Sequence, residues 1–268
     1  MDKDTTKRLI IEYQQFVANI TLIEREIHLS HQLNYVFVGL RRAGKSYLMY
    51  QQIQSLLNDG HQPEEILYFN FEDDRLVNLT VEDLDLIKVS YEELYPHKPI
   101  FFLDEIQIVE HWEKFARRLA DQQYRVYITG SNAKMLSAEI ATTLGGRYIV
   151  QNVYPFSFSE FLKASKIEIG PTWYYKNRTE IVRTFSDYFS YGGLPELMLI
   201  ETIEKRQWLS NLFNKIFFGD LITRYSIRND LAMKVLIRKL AESVKQPSSF
   251  NRLTNIVSTT GAKVSTDT

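Results

Sequence analysis

Hydrophobic positions in the first part of the chain alternate between two kinds of spacing. Residues 34–38 (NYVFV) form a short apolar run before a glycine, which predicts a buried strand. Residues 45–57 then have helical spacing, and Asn58-Asp59-Gly60 predicts where that helix ends. A further helix is predicted within the first thirty residues, because five apolar side chains there would share one helical face. They are Leu9, Ile10, Tyr13, Phe16 and Ile20.

The same alternation continues to about residue 153. Three apolar runs predict strands at 66–71, 99–103 and 125–129, and residues 147–153 predict a fifth. Between the runs, helical spacing predicts helices through Tyr95, at 110–122 and at 133–139. Apolar strands alternating with helices are typical of a parallel sheet with helices on both faces, and therefore of an α/β fold.

From Tyr154 onward the pattern changes, because Tyr154-Pro155 interrupts the alternation and helical spacing follows. We expect two domains, a core at 1–153 that includes the N-terminal helix and a mostly helical region at 154–268. The predicted helices of the second region are 158–165, 178–190, 204–225, 229–244 and 248–259.

Composition excludes several kinds of site. Cysteine is absent, which excludes disulfides, thiolate catalysis and cysteine-bound zinc, and the 5 histidines lack metal-binding spacing. No apolar run approaches the roughly 20 residues that cross a bilayer, and the charged N-terminus lacks a signal-peptide pattern. We therefore expect a cytoplasmic protein without membrane association.

Charge is distributed unevenly along the chain. Acidic residues predominate before residue 153 and basic ones after it, which makes the second region a candidate for nucleic-acid contact. Scattered surface charge is an equal explanation.

A phosphate-binding loop is the strongest motif in the chain. Eight residues between the first predicted strand and the next helix match G-x-x-x-x-G-K-[ST] at each fixed position. The glycines allow successive backbone N–H groups to point at phosphate oxygens, and the helix N-terminus favours the same anions. We expect Lys45 to reach the β- and γ-phosphates of ATP and Ser46 to ligate Mg²⁺. The complete loop is Gly39-Leu40-Arg41-Arg42-Ala43-Gly44-Lys45-Ser46.

Two adjacent carboxylates follow the third predicted strand. Asp104 and Glu105 end the run PIFFLDE, where buried carboxylates require a compensating cation. We expect Asp104 to coordinate the magnesium ion and Glu105 to act as the general base for an attacking water. A helix N-cap pair is the alternative, and the upstream phosphate-binding loop favours the catalytic interpretation.

Polar residues also follow the next strand, in RVYITGSN. If this strand lies between the first and third strands, Ser131 or Asn132 can contact the γ-phosphate or the attacking water. We favour Asn132, with an ordinary turn or helix cap as the alternative.

Seven motifs occur in a definite order along the chain: GLRRAGKS, YFNFEDDR, FFLDEIQ, ITGSNAKML, LGGRY, PFSFSEFL and YGGLPE. This ordered set resembles the AAA-superfamily ATPases related to the archaeal ATPases, which carry a C-terminal domain with a winged helix. The resemblance spans residues 20–268 and implies the strand order 5-1-4-3-2 and the placement of Asn132 given above. It also implies an arginine finger at Arg147, in cis or from a neighbouring subunit, and implies that Asn70 can hold the catalytic glutamate inactive. Alternatively Arg147 is a surface residue, and the acids 72–74 after Asn70 are solvated.

Residues 248–268 have helix-turn-helix character. Ser248-Ser249 can cap a helix through Ile256, Gly261 suits a turn, and residues 265–268 resemble the start of another helix. The chain ends where the recognition helix would begin, so we expect an incomplete winged helix. Either the chain is a fragment of a longer protein or its final segment is unfolded, so we expect DNA contact of a parent protein rather than of this chain.

These observations leave three functional hypotheses. The first is an ATPase switch regulated by a protein partner, by DNA or by a second copy of the chain. The second is a nucleotide-dependent interaction module with negligible turnover, and the third is a small-molecule phosphotransferase. Glu105 favours the first over the third, because a base beside the metal-binding aspartate serves water activation.

Overall fold

A parallel sheet organises the first part of the chain in the computed structural model, which describes residues 1–130, 142–167, 170–223, 227, 229–244, 249–259 and 261. Its strands are β1 (Tyr35–Val38), β2 (Ile66–Asn70), β3 (Ile100–Asp104), β4 (Val126–Gly130) and β5 (Ile149–Asn152). They lie in the order β2-β3-β4-β1-β5. This confirms the predicted order 5-1-4-3-2, and β4 does lie between β1 and β3.

The register of the strands brings their carboxyl ends to one edge. Val38 at the end of β1 pairs with Gly130 of β4, and Asn70 of β2 pairs with Asp104 of β3. Loops that leave β1, β3 and β4 therefore start close together, although they are far apart in sequence. Ligands of open α/β sheets bind at this edge.

Helices cover both faces of the sheet, as predicted. Val36 and Val38 of β1 face α1 (Lys3–Asn19), α3 (Val81–Leu94) and α4 (Trp112–Asp121) in one apolar cluster. The alternate residues of β1 face α2 (Lys45–Asn58), which supplies Leu48, Met49, Ile53 and Leu56 to a second cluster. The two-residue period of the strands explains this division, because neighbouring side chains point to opposite faces.

Aromatic side chains form a stack across three strands on the α2 side. Tyr127 of β4 stacks on Phe102 of β3 with ring centroids 4.5 Å apart, and on Tyr35 of β1 at 5.9 Å. Stacked cross-strand pairs of this kind stabilise the order in which strands associate. The stack thus supports the placement of β4 at the centre of the sheet.

The chain continues from β5 into helices. α5 (Phe158–Ala164) begins with a capping box in which Ser157 and Glu160 exchange side-chain and backbone hydrogen bonds. It is followed by α6 (Trp173–Lys176), α7 (Arg178–Tyr191), a 3₁₀ segment at Pro195–Leu199 and α8 (Thr202–Lys215). The described residues divide into two compact units, Met1–Arg206 and Gln207–Thr268, so α5, α6 and α7 lie in the same unit as the sheet. A domain limit at 153 stays a prediction.

The second unit is helical in its described residues. A π-helical segment at Ile216–Thr223 follows α8, so the single helix predicted for 204–225 changes its hydrogen-bond pattern part-way. α9 (Asp230–Glu242) and α10 (Phe250–Ser258) follow, and Ser249 caps α10 as predicted by accepting from the N–H of Arg252 at 3.2 Å. Residues 262–268, where a recognition helix was expected to begin, lie outside the described residues. Within the described part of the chain, no helix is both long and apolar enough to cross a membrane.

Candidate nucleotide-binding site

The predicted phosphate-binding loop connects β1 directly to α2. Gly44 occupies the N-cap of α2 with φ at 97°, a backbone conformation that a side chain would strain. Gly39 is needed for a different reason, because a Cβ at this position would lie 2.2 Å from the carbonyl oxygen of Val153. The two invariant glycines of the motif therefore have separate local explanations in this fold.

Lys45 lies inside this loop rather than in solvent. Its side chain is 4% exposed, and Nζ donates to the carbonyl oxygens of Leu40 at 3.1 Å and Gly39 at 3.4 Å. Burial lowers the pKa of the Lys45 ammonium below its usual value, although Glu105 and Asp104 act in the opposite direction. A buried cation among main-chain carbonyls is a ready partner for a polyphosphate.

Asp104 ends β3 and is buried beneath the loop. Tyr68 donates to its Oδ2 at 2.7 Å and Thr129 donates to its Oδ1, and the nearby Ser46 hydroxyl, like these two donors, acts to lower the pKa of Asp104. Burial nevertheless raises the pKa of Asp104 above its usual value. A divalent cation would remove this cost, and the carboxylate and hydroxyl oxygens of Asp104 and Ser46 are the ligand type that Mg²⁺ prefers. The residues present therefore fit the expected metal.

Glu105 follows with its carboxylate 3.8 Å from Nζ of Lys45. Its backbone is left-handed, with φ at 56°, and its N–H donates to Oγ1 of Thr129 at 2.8 Å. Gln107 donates from Nε2 to the carboxylate of Glu105. The structure thus brings Lys45, Ser46, Asp104 and Glu105 together at the carboxyl edge of the sheet.

The structure does not bring Arg147 to this place. Arg147 precedes β5, where its carbonyl accepts from Asn34 just before β1, so it lies at the amino edge of the sheet. Its Nε donates to Asp121 at 2.5 Å, and the length of β1 separates it from the loop. An arginine-finger role within the same chain lacks support from this placement, and a role toward a neighbouring subunit stays a prediction.

Three other predicted positions are not tested by contacts. Asn132 and Ser131 lie outside the described residues. Asn70 accepts from the N–H of Glu72 at 3.0 Å in the turn after β2, and its predicted action on Glu105 stays a prediction.

Three side chains at the site were missed by sequence reasoning. Thr129 ends the predicted strand RVYIT and Tyr68 lies within ILYFNF, so both read as strand formers in the sequence. Only the pairing of β3 with both β2 and β4 shows that these hydroxyls meet Asp104. Arg25, which contacts the loop carbonyl of Ala43 at 3.0 Å, gave no signal beyond a charged residue between α1 and β1.

Comparison with known families agrees with this geometry. Residues 31–162, which contain the loop and the whole sheet, match the model of a family described as an AAA domain. This part of the chain belongs to the AAA-type P-loop domains. The match ends within α5, and the winged helix of the C-terminal region stays a prediction.

Relatives extend the similarity beyond the AAA domain. An uncharacterized protein of Methanocaldococcus jannaschii is 33% identical over 263 residues, covering 97% of this chain and 58% of the relative. An uncharacterized protein of Haemophilus influenzae is 33% identical over 246 residues, covering 87% of this chain and 59% of the relative. The chain therefore spans less than two thirds of the length of these relatives.

Similarity to solved structures is weaker. A DNA polymerase III gamma-subunit-related protein from Thermotoga maritima has a TM-score of 0.37 at 13% identity, covering 97% of this chain and 93% of that one. The assignment of the AAA domain thus depends on the sequence match and on the sheet described above.

Proposed function

We propose that this chain binds ATP with Mg²⁺ and hydrolyses its β–γ phosphoanhydride bond. The observation that carries the proposal is the convergence of Lys45 and Glu105, 3.8 Å apart, with Asp104 and Ser46 at one sheet edge. An AAA-type P-loop domain provides the main-chain cradle for the phosphates.

Each side chain has a definite task in this proposal. Lys45 exchanges its carbonyl partners for β- and γ-phosphate oxygens, so the buried ammonium then donates to charged oxygens. Asp104 and Ser46 hold the magnesium ion, which neutralises phosphate charge when bound. Glu105 orients the attacking water and accepts its proton, for which its carboxylate must be able to leave Gln107.

The contact between Gln107 and Glu105 favours a slow resting enzyme as a second candidate. In that state the chain acts as a nucleotide-dependent interaction module, and a protein partner, DNA or a second copy of the chain raises turnover by releasing Glu105. The proposed function is therefore a regulated ATPase switch. Gln107→Ala tests the restraint directly, and we expect basal phosphate release to rise about 10- to 100-fold, since one charge-assisted hydrogen bond is removed.

Phosphate release and nucleotide binding, measured together, test the proposal. Lys45→Ala is expected to lose ATP binding, because the cation that meets the γ-phosphate is removed. Glu105→Gln is expected to retain ATP binding and to lose turnover by about 10²- to 10⁴-fold, the usual contribution of a general base. The matched control is Glu110→Gln, which changes an exposed carboxylate on the same stretch of chain.

The measurement is repeated with and without duplex DNA to look for activation. Parent-level hydrolysis in both Lys45→Ala and Glu105→Gln would refute the assignment of the site. ATP binding by the parent without turnover under any condition would leave the interaction module as the function.

A further inference from the structure

A second charged pair lies beneath the phosphate-binding loop, outside the proposed catalytic residues. Arg25 lies between α1 and β1 and is 5% exposed, and Glu160 on α5 is 4% exposed. Nε of Arg25 donates to Oε1 of Glu160 at 2.8 Å, and its guanidinium stands over the ring of Phe156. A buried ion pair often contributes little net stability, so this pair is a candidate for a role in geometry.

The guanidinium also contacts the loop itself. Nη1 of Arg25 donates to the carbonyl oxygen of Ala43 at 3.0 Å, and Nη2 donates to the carbonyl oxygen of Tyr154 at 2.8 Å. In a trans peptide unit the C=O and the following N–H point in opposite directions. Holding the Ala43 carbonyl toward Arg25 therefore directs the N–H of Gly44 away from Arg25, out of the N-terminus of α2.

This peptide unit needs a restraint more than its neighbours do. Gly44 has φ at 97° and no Cβ, so the unit between Ala43 and Gly44 can rotate at little steric cost. The N–H of Gly44 is one of the amides that the loop motif directs at phosphate oxygens. A rotated unit would present a carbonyl oxygen to the phosphates and repel them.

Arg25 is itself held in place from two sides. Its own N–H donates to Oε1 of Gln51 on α2 at 2.7 Å, and Nε2 of Gln51 donates to its carbonyl at 3.2 Å. Glu160 accepts from the backbone N–H of Glu26 at 2.9 Å and of Ser157 at 2.8 Å. The position of the guanidinium is thus set jointly by α2 and by the chain that leaves β5.

We propose that Arg25, oriented by Glu160, is a positioning residue that keeps the Gly44 N–H directed at the phosphates of ATP. The inference depends on the proposed nucleotide-binding function. This role also accounts for Glu160 in the motif PFSFSEFL, because no residue of that motif takes part in the proposed catalysis. Because this amide contacts phosphate before and during the reaction, its loss weakens binding and leaves the chemical step nearly unchanged.

The test combines ATP titration, steady-state kinetics and unfolding of the intact chain. We expect Arg25→Met to raise the Kd and the KM for ATP about 10- to 100-fold, which corresponds to losing one hydrogen bond to a charged group. We expect kcat to stay within about threefold of the parent value, because uniform binding is affected.

A double variant separates positioning from folding. In Arg25→Met/Glu160→Gln the buried charge left by the single variant is removed, so stability is recovered in part. The Ala43 carbonyl still lacks its donor, and we expect the raised KM to persist. Far-UV circular dichroism and urea midpoints confirm that each variant is folded.

The matched control is Lys163→Met. Lys163 pairs with Glu24 at 2.8 Å and so joins the same two segments, α5 and the stretch before β1, through an exposed pair without the loop contact. We expect parent ATP affinity from it. Parent affinity in Arg25→Met, recovered affinity in the double variant, or an equal loss in Lys163→Met would each overturn the inference. Failure of the parent to bind ATP would instead overturn the proposed function, and this inference with it.

Discussion

Thr129 provides the sharpest test of how the site is assembled. Its hydroxyl is fully buried, donates to Oδ1 of Asp104 and accepts from the N–H of Glu105 at 2.8 Å. Thr129→Val keeps the shape of the side chain and removes both hydrogen bonds. Thr129→Ser keeps both bonds and removes only a methyl group.

The expected losses differ enough to be separated. Leaving a buried polar group without its partner costs about 1–3 kcal/mol, so the two groups that lose their partner in Thr129→Val cost about 2–6 kcal/mol of unfolding free energy. The methyl group lost in Thr129→Ser accounts for about 1 kcal/mol. The left-handed backbone of Glu105, with φ at 56°, also loses the bond that holds it, so we expect turnover to fall about 10- to 100-fold in the valine variant.

Urea unfolding followed by tryptophan fluorescence measures the first effect, because Trp112 is buried in the core beside the sheet. Phosphate release at saturating ATP measures the second. If Thr129→Val is as stable and as active as Thr129→Ser, the hydroxyl does not organise the two carboxylates. The contact between β3 and β4 would then have no part in assembling the site.

Three further predictions concern the surroundings of the site. Gly39→Ala is expected to abolish ATP binding and lower the urea midpoint, because its Cβ would lie 2.2 Å from the carbonyl oxygen of Val153. Parent-level ATP binding by this variant would contradict the close approach of residue 39 to Val153. Burial acts to raise the pKa of Glu160, but hydrogen bonds, first of all from Arg25, lower it below 4.5. The stability that Glu160 contributes is therefore complete above its unfolded-state pKa and is lost as the pH falls through its lower folded-state pKa. Below about pH 4.5, the urea midpoint of Glu160→Gln should therefore decline less than that of the parent. Arg147→Ala should leave ATP affinity unchanged. If this arginine serves a neighbouring subunit, the rate of ATP hydrolysis per chain should rise with protein concentration in the parent and should not rise in Arg147→Ala.

The sheet and the charged groups of the site were within reach of sequence reasoning. Strands rich in aromatic and β-branched residues, such as NYVFV and PIFFL, carry a local signal, and the loop at 39–46 is recognisable because its chemistry tolerates few alternatives at each fixed position. The fold then places Asp104 beside Ser46, since both lie at the carboxyl edge of the sheet. The motifs predicted the site residues, whereas the strand order was implied by the resemblance to the AAA-superfamily ATPases.

The remaining parts depend on pairing that no local pattern reveals. Thr129 looks like a strand residue until β4 is placed beside β3, and Arg25 looks like a solvent-exposed charge until its contact with the Ala43 carbonyl is seen. Helix limits in the second unit also differed, because a continuous apolar pattern does not distinguish an α-helix from the π-helical segment at Ile216–Thr223. Interactions between distant segments, rather than local preferences, determine the roles of Thr129 and Arg25.

The strand order has a consequence for how the domain is made. β1 leads into the phosphate-binding loop, yet its neighbours in the sheet are β4 and β5, which are synthesised only after β2 and β3. Contacts between segments so distant in sequence form late and slowly. A nascent chain that ends before residue 126 therefore carries the loop without the strand that completes the site. Under the proposed function, bound ATP stabilises the completed site, in which β4 is already in place.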